Sequence, residues 1–336
     1  LFSGADPVVN RDTLQLLAED LRSKAYAEST KKAYSVHLKT YLTFCEIVKV
    51  APVPLSQSDL SCYVAYLSTK ICYSSIRQYL NIVKIIHLEA GFKNPLEDSW
   101  HLSSLLKETR RSLGDRINPK LPITIEILWD IFDTINLCSD FEVCFWAACL
   151  VAFFSFLRKS NLLISTHAAF DRHLDLCRED FEFNCEYMLI EIRRTKTIQF
   201  GQRPLITPSP LVPGSPLCPA ATTKLLFRRC PAPTDAPGFS YRGAGGNTRV
   251  LTYPEFLGAL KLKLYGLGLD ASQYGGHSFR RGGASSCFFK GNVSADQIKL
   301  HGDWASQAYQ RYLLPDMESK LQVAHAMKRM VMNYKV

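Results

Sequence analysis

The sequence predicts a mainly α chain with a small antiparallel β-sheet, split into a helical N-terminal domain and a mixed α/β second domain. Three observations lead there. From about Asp12 to Gly114 apolar residues recur at helical spacing with no strand-like alternation. The short stretch Gly114 to Pro122 is polar and contains prolines, and reads as a linker. Beyond it helices resume, but Asp180–Cys185, Tyr187–Arg193 and Arg203–Thr207 carry the period of strands. The boundaries expected are 1–113, 114–122 and 123–336.

In the first part, Leu14, Leu17, Leu21 and Tyr26 mark one helix, and Tyr34, Leu38, Tyr41, Leu42 and Cys45 a second. Ser56 and Asp59 resemble a capping box ahead of Leu60, Tyr63, Val64 and Leu67, with Asp in place of the usual Glu. Ile76, Leu80, Val83, Ile86 and His87 share a stripe that Gly91 ends, and a fifth helix is expected from about Trp100 to Leu113. In the second part, Thr124–Asn136 and Asp140–Phe154 are expected helices, the latter apolar nearly all round and so buried. Pro216–Arg229 is another, and residues 207–219 and 230–247, rich in Pro and Gly, read as loops. Thr252 and Glu255 form a capping box before Phe256, Leu260 and Leu264; Ser294 and Gln297 cap a helix that stops near Gly302. The last helix, about Met317–Met332, is amphipathic. Gly282 and Gly283 each cost about 1 kcal/mol inside a helix relative to Ala, which close approach of another backbone or of DNA would explain.

With 336 residues, 47% hydrophobic and 21% charged, the chain has the composition of an ordinary globular protein large enough for two cores. The formal charge of +9 leans towards a polyanionic partner. Lys24, Lys31, Lys32, Lys39, Arg77 and Lys84 sit among the first helices, with Arg110, Arg111, Arg116 and Lys120 near the exit. They fit either solvated faces or a surface that grips DNA phosphates. No apolar run reaches membrane-spanning length, so no membrane partner is expected. Leu1 is not an initiator Met, and a piece of a longer protein is expected. Eleven cysteines without C-x-x-C read as reduced thiols. His167, His173, Cys177 and Cys185 fit no common zinc-finger spacing.

The chemistry gathers between His277 and Tyr312. His277 and Arg280 stand three apart, so they share a face of a helical first turn whose free N–H groups suit an anionic oxygen. Trp304 follows in Gly302-Asp303-Trp304, and Tyr312 lies in a short segment closed by Pro315. Upstream, Arg158 directly follows a greasy helix. It either satisfies that helix's C-terminus or sits at the rim of a core ready for an anion. Lys196 lies at a hairpin tip in Arg194-Thr195-Lys196-Thr197.

In this order and on these element types, the residues resemble the tyrosine recombinase (phage integrase) family. The resemblance spans nearly the whole chain: a helical core-binding domain, then a mixed α/β catalytic domain. The wording Gly302-Asp303-Trp304-Ala305-Ser306 before Tyr312-Leu313 is most similar to recombinases of Crypton- and DIRS-like eukaryotic mobile elements. The resemblance implies that Arg158 and Arg280 bind the scissile phosphate and that His277 is a proton acceptor or a further donor. It further implies that Lys196 protonates the departing 5′-oxygen, that Trp304 gives packing and an indole N–H bond, and that Tyr312 is the nucleophile. Two departures stand out. Asn161 occupies a position where many bacterial members have an acid, and the interval from Trp304 to Tyr312 is one residue short, which leaves Tyr309 as a rival nucleophile.

On this reading the protein cleaves and rejoins double-stranded DNA through a 3′-phosphotyrosyl link, with no metal, ATP or other cofactor. It works as a homo-tetramer through its C-terminal helix, in the nucleus if its host is eukaryotic. The alternatives are a type IB topoisomerase-like nicking-closing enzyme and a domesticated, catalytically silent DNA-binding protein.

Overall fold

The computed structural model describes residues 10–114, 120–193, 195, 204–313 and 317–333. The chain divides between Asn118 and Pro119 into two compact units, each with its own buried apolar cluster.

Unit 1 contains α1 (Arg11–Ser23), α2 (Glu28–Val48), α3 (Gln57–Ser68), α4 (Tyr73–Glu89) and α5 (Trp100–Leu113). Three of these starts have a local cause. Asn10, Ser56 and Ser99 accept a backbone N–H three residues on, which satisfies one of the orphan donors of the first turn. Asp59 bonds the Ser56 hydroxyl at 2.6 Å rather than its backbone N–H, so the predicted box closes between side chains. Tyr41, Phe44, Leu60, Tyr63, Val64, Leu67, Ile76, Leu80 and Val83 interlock as the core. His87 is buried beneath it: Leu55 N–H donates to Nε2 at 2.8 Å, which leaves Nδ1 to donate to the Val83 carbonyl at 2.7 Å. The α1 stripe behaves differently from the others. Leu14, Leu17 and Leu21 are exposed, so this helix forms without entering the core.

Unit 2 is built round α7 (Asp140–Phe154), preceded by α6 (Ile125–Asp133). Every residue from Val143 to Phe153 is buried, and each large apolar side chain taken from water contributes about 1.5–3 kcal/mol. The short α8 (Lys159–Leu162) follows, then β1 (Phe181–Phe183), β2 (Tyr187–Ile192) and β3 (Leu205–Pro210). These three pair antiparallel in sequence order, with Phe181 opposite Ile190 and Ile190 opposite Thr207. The side-chain period of two buries Met188, Ile190 and Ile192 and exposes Tyr187 and Glu191.

Next come α9 (Pro219–Arg229), a small hairpin of β4 (Ser240–Arg242) and β5 (Thr248–Val250), and α10 (Tyr253–Gly266). The hairpin corrects the expectation of loop throughout 230–247. Its strands are three residues long, too short for periodicity to show, and β4 is held by packing on α7. Last are α11 (Gly276–Phe289), α12 (Ala295–His301), a 3₁₀ turn over Gln307–Tyr312 and α13 (Met317–Asn333). Both predicted boxes, Thr252/Glu255 and Ser294/Gln297, are present with reciprocal bonds. Among the described residues no helix is long and apolar enough to cross a membrane.

The pair Gly282-Gly283 is what lets α11 enter the core. A Cβ at 282 would lie 1.7 Å from the Ile123 carbonyl oxygen, and one at 283 would lie 2.1 Å from that of Phe153. The two glycines therefore admit the backbone ahead of α6 on one side and the end of α7 on the other. The Ile123 N–H closes the first contact by donating to Ser278 O at 3.0 Å.

Candidate active site

The site forms where the ends of α7 and α12 meet the start of α11. After α7 the chain turns through Phe156 in the left-handed region (φ 48°). An aromatic side chain adopts that conformation at a cost of about 1–3 kcal/mol. The turn leaves Arg158 extended, as the N-cap of α8. Arg158 thus starts the next element rather than neutralising the C-terminus of α7.

Arg280 is buried on the first turns of α11. Its Nη1 donates to the Phe156 carbonyl and its Nη2 to the Gly302 carbonyl. Arg158 Nη2 donates to the neighbouring carbonyl, Asp303 O, at 3.1 Å. Two consecutive carbonyls at the end of α12 therefore hold two guanidinium groups side by side. Burial and the charge of Arg158 lower the pKa of Arg280 to about 9, so it remains a cation at neutral pH. Like charges this close repel, and each guanidinium retains further N–H donors suited to the oxygens of a phosphate.

Trp304 lies against this pair. Its indole face is 3.7 Å from Arg280 Cζ, a cation–π contact, and it folds back over Gly302, where a Cβ would sit 1.7 Å from the ring. In this structure Trp304 touches Arg280 through the face of its ring.

His277 and Tyr312 meet directly: Nε2 and Oη are 2.8 Å apart. Ser285 Oγ donates to the Tyr312 carbonyl at 2.6 Å and fixes the end of the 3₁₀ turn against α11. The His277 ring opens to solvent at the mouth of the site, but its packed surroundings disfavour the imidazolium, and Arg280, Arg158 and Lys159 add like charge. Its pKa falls below 6.5, so at neutral pH it is an unprotonated base beside a phenol. Tyr309 is placed otherwise. It is 3% exposed and packs against Trp304 with ring centroids 6.1 Å apart, in the small cluster of Phe156, Ala284 and Ile298.

Of the six residues singled out in the sequence, Arg158, His277, Arg280, Trp304 and Tyr312 come together. Lys196 lies outside the described residues. Its neighbour Thr195 is described and donates to Asp303 Oδ2 at 2.9 Å. Asp303 is the residue that sequence reasoning passed over: it stood inside the quoted motif, but nothing local shows which cation a carboxylate will meet. Asp303 Oδ2 lies 3.7 Å from Arg158 Nη1, so acidic support for Arg158 comes from after α12 rather than from position 161.

Three histidines, His37, His277 and His301, share depressed pKa values, chiefly because burial disfavours their charged forms. The unfolded chain then takes up protons first as pH falls through 6.5, so stability drops with acidification and the loss is complete below the folded-state values. Thermal melts at about pH 7.5 and about pH 6 should show the lower Tm at the lower pH. An unchanged or higher Tm would contradict the lowered pKa values of these rings.

A two-unit chain whose second unit holds two arginines, a histidine and a tyrosine in this arrangement has the fold of DNA integrases and recombinases. Residues 14–98 match the family described as "Phage integrase, N-terminal SAM-like domain". An integrase/recombinase XerD homolog of Selenomonas ruminantium is 25% identical over 287 residues, which cover 83% of this chain and 79% of that protein. The Tn1549 transposon integrase in complex with transposon right end DNA shares the fold at a TM-score of 0.60, with 13% identity over 94% of this chain and 98% of that one. XerH site-specific recombinase bound to palindromic difH substrate, a post-cleavage complex, does so at 0.61, with 14% identity over 88% and 79%. The matched domain, the relative and the shared fold together support the tyrosine recombinase (phage integrase) family for this chain.

Proposed function

We propose that the protein is a site-specific DNA recombinase of a mobile element, most similar to the Crypton- and DIRS-like branch. It acts through a covalent 3′-phosphotyrosyl intermediate. The observation that carries this reading is the 2.8 Å contact of Tyr312 Oη with a neutral His277, next to two arginines held on adjacent carbonyls. A phenol ionises near pH 10 in water and needs help to attack at neutral pH. His277 Nε2 takes the phenolic proton while Tyr312 Oη bonds to phosphorus. The bond from phosphorus to the 5′-oxygen breaks, and Lys196 protonates that oxygen. Arg158 and Arg280 bear the negative charge that builds on the non-bridging oxygens. The new ester keeps the energy of the old bond, so a second 5′-hydroxyl reseals it without ATP, and nothing in the scheme requires a metal.

DNA is gripped by both units. In unit 1 the paired helices α2 and α4 present exposed Lys32, Lys39 and Arg77, and each phosphate contact releases counterions. Lys24 and Lys31 are already paired with Asp20 and Glu28 and count for less. The exposed Leu321, Met327, Met330 and Val331 of α13 support docking of that helix on a neighbouring copy within a tetramer. The protein acts where its host's DNA is, in the nucleus if the host is eukaryotic.

The test is a nicked suicide duplex carrying the target site. A covalent protein–DNA adduct, and joined products when two sites are supplied, are the expected results. Binding without an adduct would point to a silent DNA-binding protein. Relaxation of supercoils without joining would point to a topoisomerase.

A further inference from the structure

Asp303 connects two parts of the site that are far apart in sequence. It follows α12 with a left-handed φ of 52°, a conformation that Asp and Asn tolerate better than most residues. Its carbonyl accepts from Arg158 Nη2 at 3.1 Å, and its Oδ2 lies 3.7 Å from Arg158 Nη1. The same Oδ2 accepts the Thr195 hydroxyl at 2.9 Å. Arg158 and Asp303 side chains are only 19% and 20% exposed, so water screens the pair less than it would on an open surface. Thr195 is itself buried and immediately precedes Lys196 in the chain. Position 161 carries an amide, which has no charge with which to hold a guanidinium.

Resting on the recombinase reading, we infer that Asp303 is a positioning residue. Its carboxylate aims the Arg158 fork at the scissile phosphate and ties the β2–β3 connection, through Thr195, to that arginine. Arg158 stands beside a buried cation, Arg280, and without the carboxylate only backbone carbonyls oppose the repulsion between them. The fork then swings away from the geometry the transition state needs. Thr195, fixed to the same oxygen, is the residue immediately before Lys196 in the chain, the proposed proton donor to the 5′-oxygen. Preorganisation of this kind is worth far more in rate than in affinity.

The experiment measures single-turnover cleavage at saturating DNA alongside DNA affinity and Tm. It uses wild type, Asp303→Asn, Thr195→Val and the double variant. Asn suits the left-handed backbone and keeps the main-chain carbonyl that accepts from Arg158, while the charge and one of the two acceptor oxygens are lost. Cleavage by Asp303→Asn should fall about 10- to 100-fold with DNA affinity nearly unchanged. Thr195→Val should lose less, and the double variant should be no slower than Asp303→Asn alone.

A duplex with sulfur at the 5′-bridging position has a leaving group that needs no proton. It should restore most of the Thr195→Val deficit and only part of the Asp303→Asn deficit. Unimpaired cleavage by Asp303→Asn in an otherwise active protein overturns the inference while the recombinase reading stands. So do strictly additive losses, or a Thr195→Val deficit that sulfur leaves untouched. If Asp303→Asn does not fold, Thr195→Val on the two substrates decides alone. Absence of any adduct from wild type removes the recombinase reading and this inference with it.

Discussion

Tyr312→Phe is expected to abolish the covalent adduct on a suicide duplex while leaving DNA binding within about twofold, a loss beyond three orders of magnitude in cleavage. The substitution removes one oxygen from a half-buried ring and keeps the packing against Trp304, whose centroid is 5.7 Å away. What goes is the only atom of that side chain able to bond phosphorus, and with it the 2.8 Å partner of His277. Tyr309→Phe supplies the contrast. That ring is buried behind Trp304 and its role is packing, so its variant should still form the adduct at near wild-type rate. Peptide mapping of the trapped subunit completes the comparison: DNA attached at position 309 would reverse the assignment.

Gly282→Ala and Gly283→Ala should each destabilise unit 2 by about 3 kcal/mol or more, at the upper end of what overpacking costs. Ala is the better helix former and would add about 1 kcal/mol of stability at an open site. The sign reverses here because the new methyl meets backbone, the carbonyl oxygen of Ile123 at 1.7 Å or of Phe153 at 2.1 Å, and backbone cannot rotate aside. A Tm lowered by roughly 6–12 °C is the expected result for a unit of this size. Gly258→Ala on α10 is the control, since nothing lies within 4 Å of its Cβ position. An unchanged or higher Tm for Gly282→Ala would mean that α11 does not pack as described. The effect extends to function, because α11 carries both His277 and Arg280.

Much of this architecture could be read from residues alone. The five helices of unit 1 were legible from apolar residues recurring at helical period, and the run Asp140–Phe154 from its length and its apolar character on every side. The caps at Thr252 and Ser294 were legible because their hydrogen bonds are local, closing within three residues. Long-range balance was not legible. The β4–β5 hairpin has strands too short to show a period. The exposure of Leu14, Leu17 and Leu21 depends on what other surface is available to cover them, which no stripe can reveal.

The sequence by itself determined the helical class, the two-part organisation and five of the residues that meet at the site, because periodicity, capping and motif spacing are encoded within a few residues. Tertiary structure alone decided that Arg158 and Arg280 share adjacent carbonyls, that Tyr312 and not Tyr309 meets His277, and that Asp303 serves a cation 145 residues away in the chain. Those are relations between charges brought close only by packing. Their strength depends on distance and burial, and neither exists until the chain has folded.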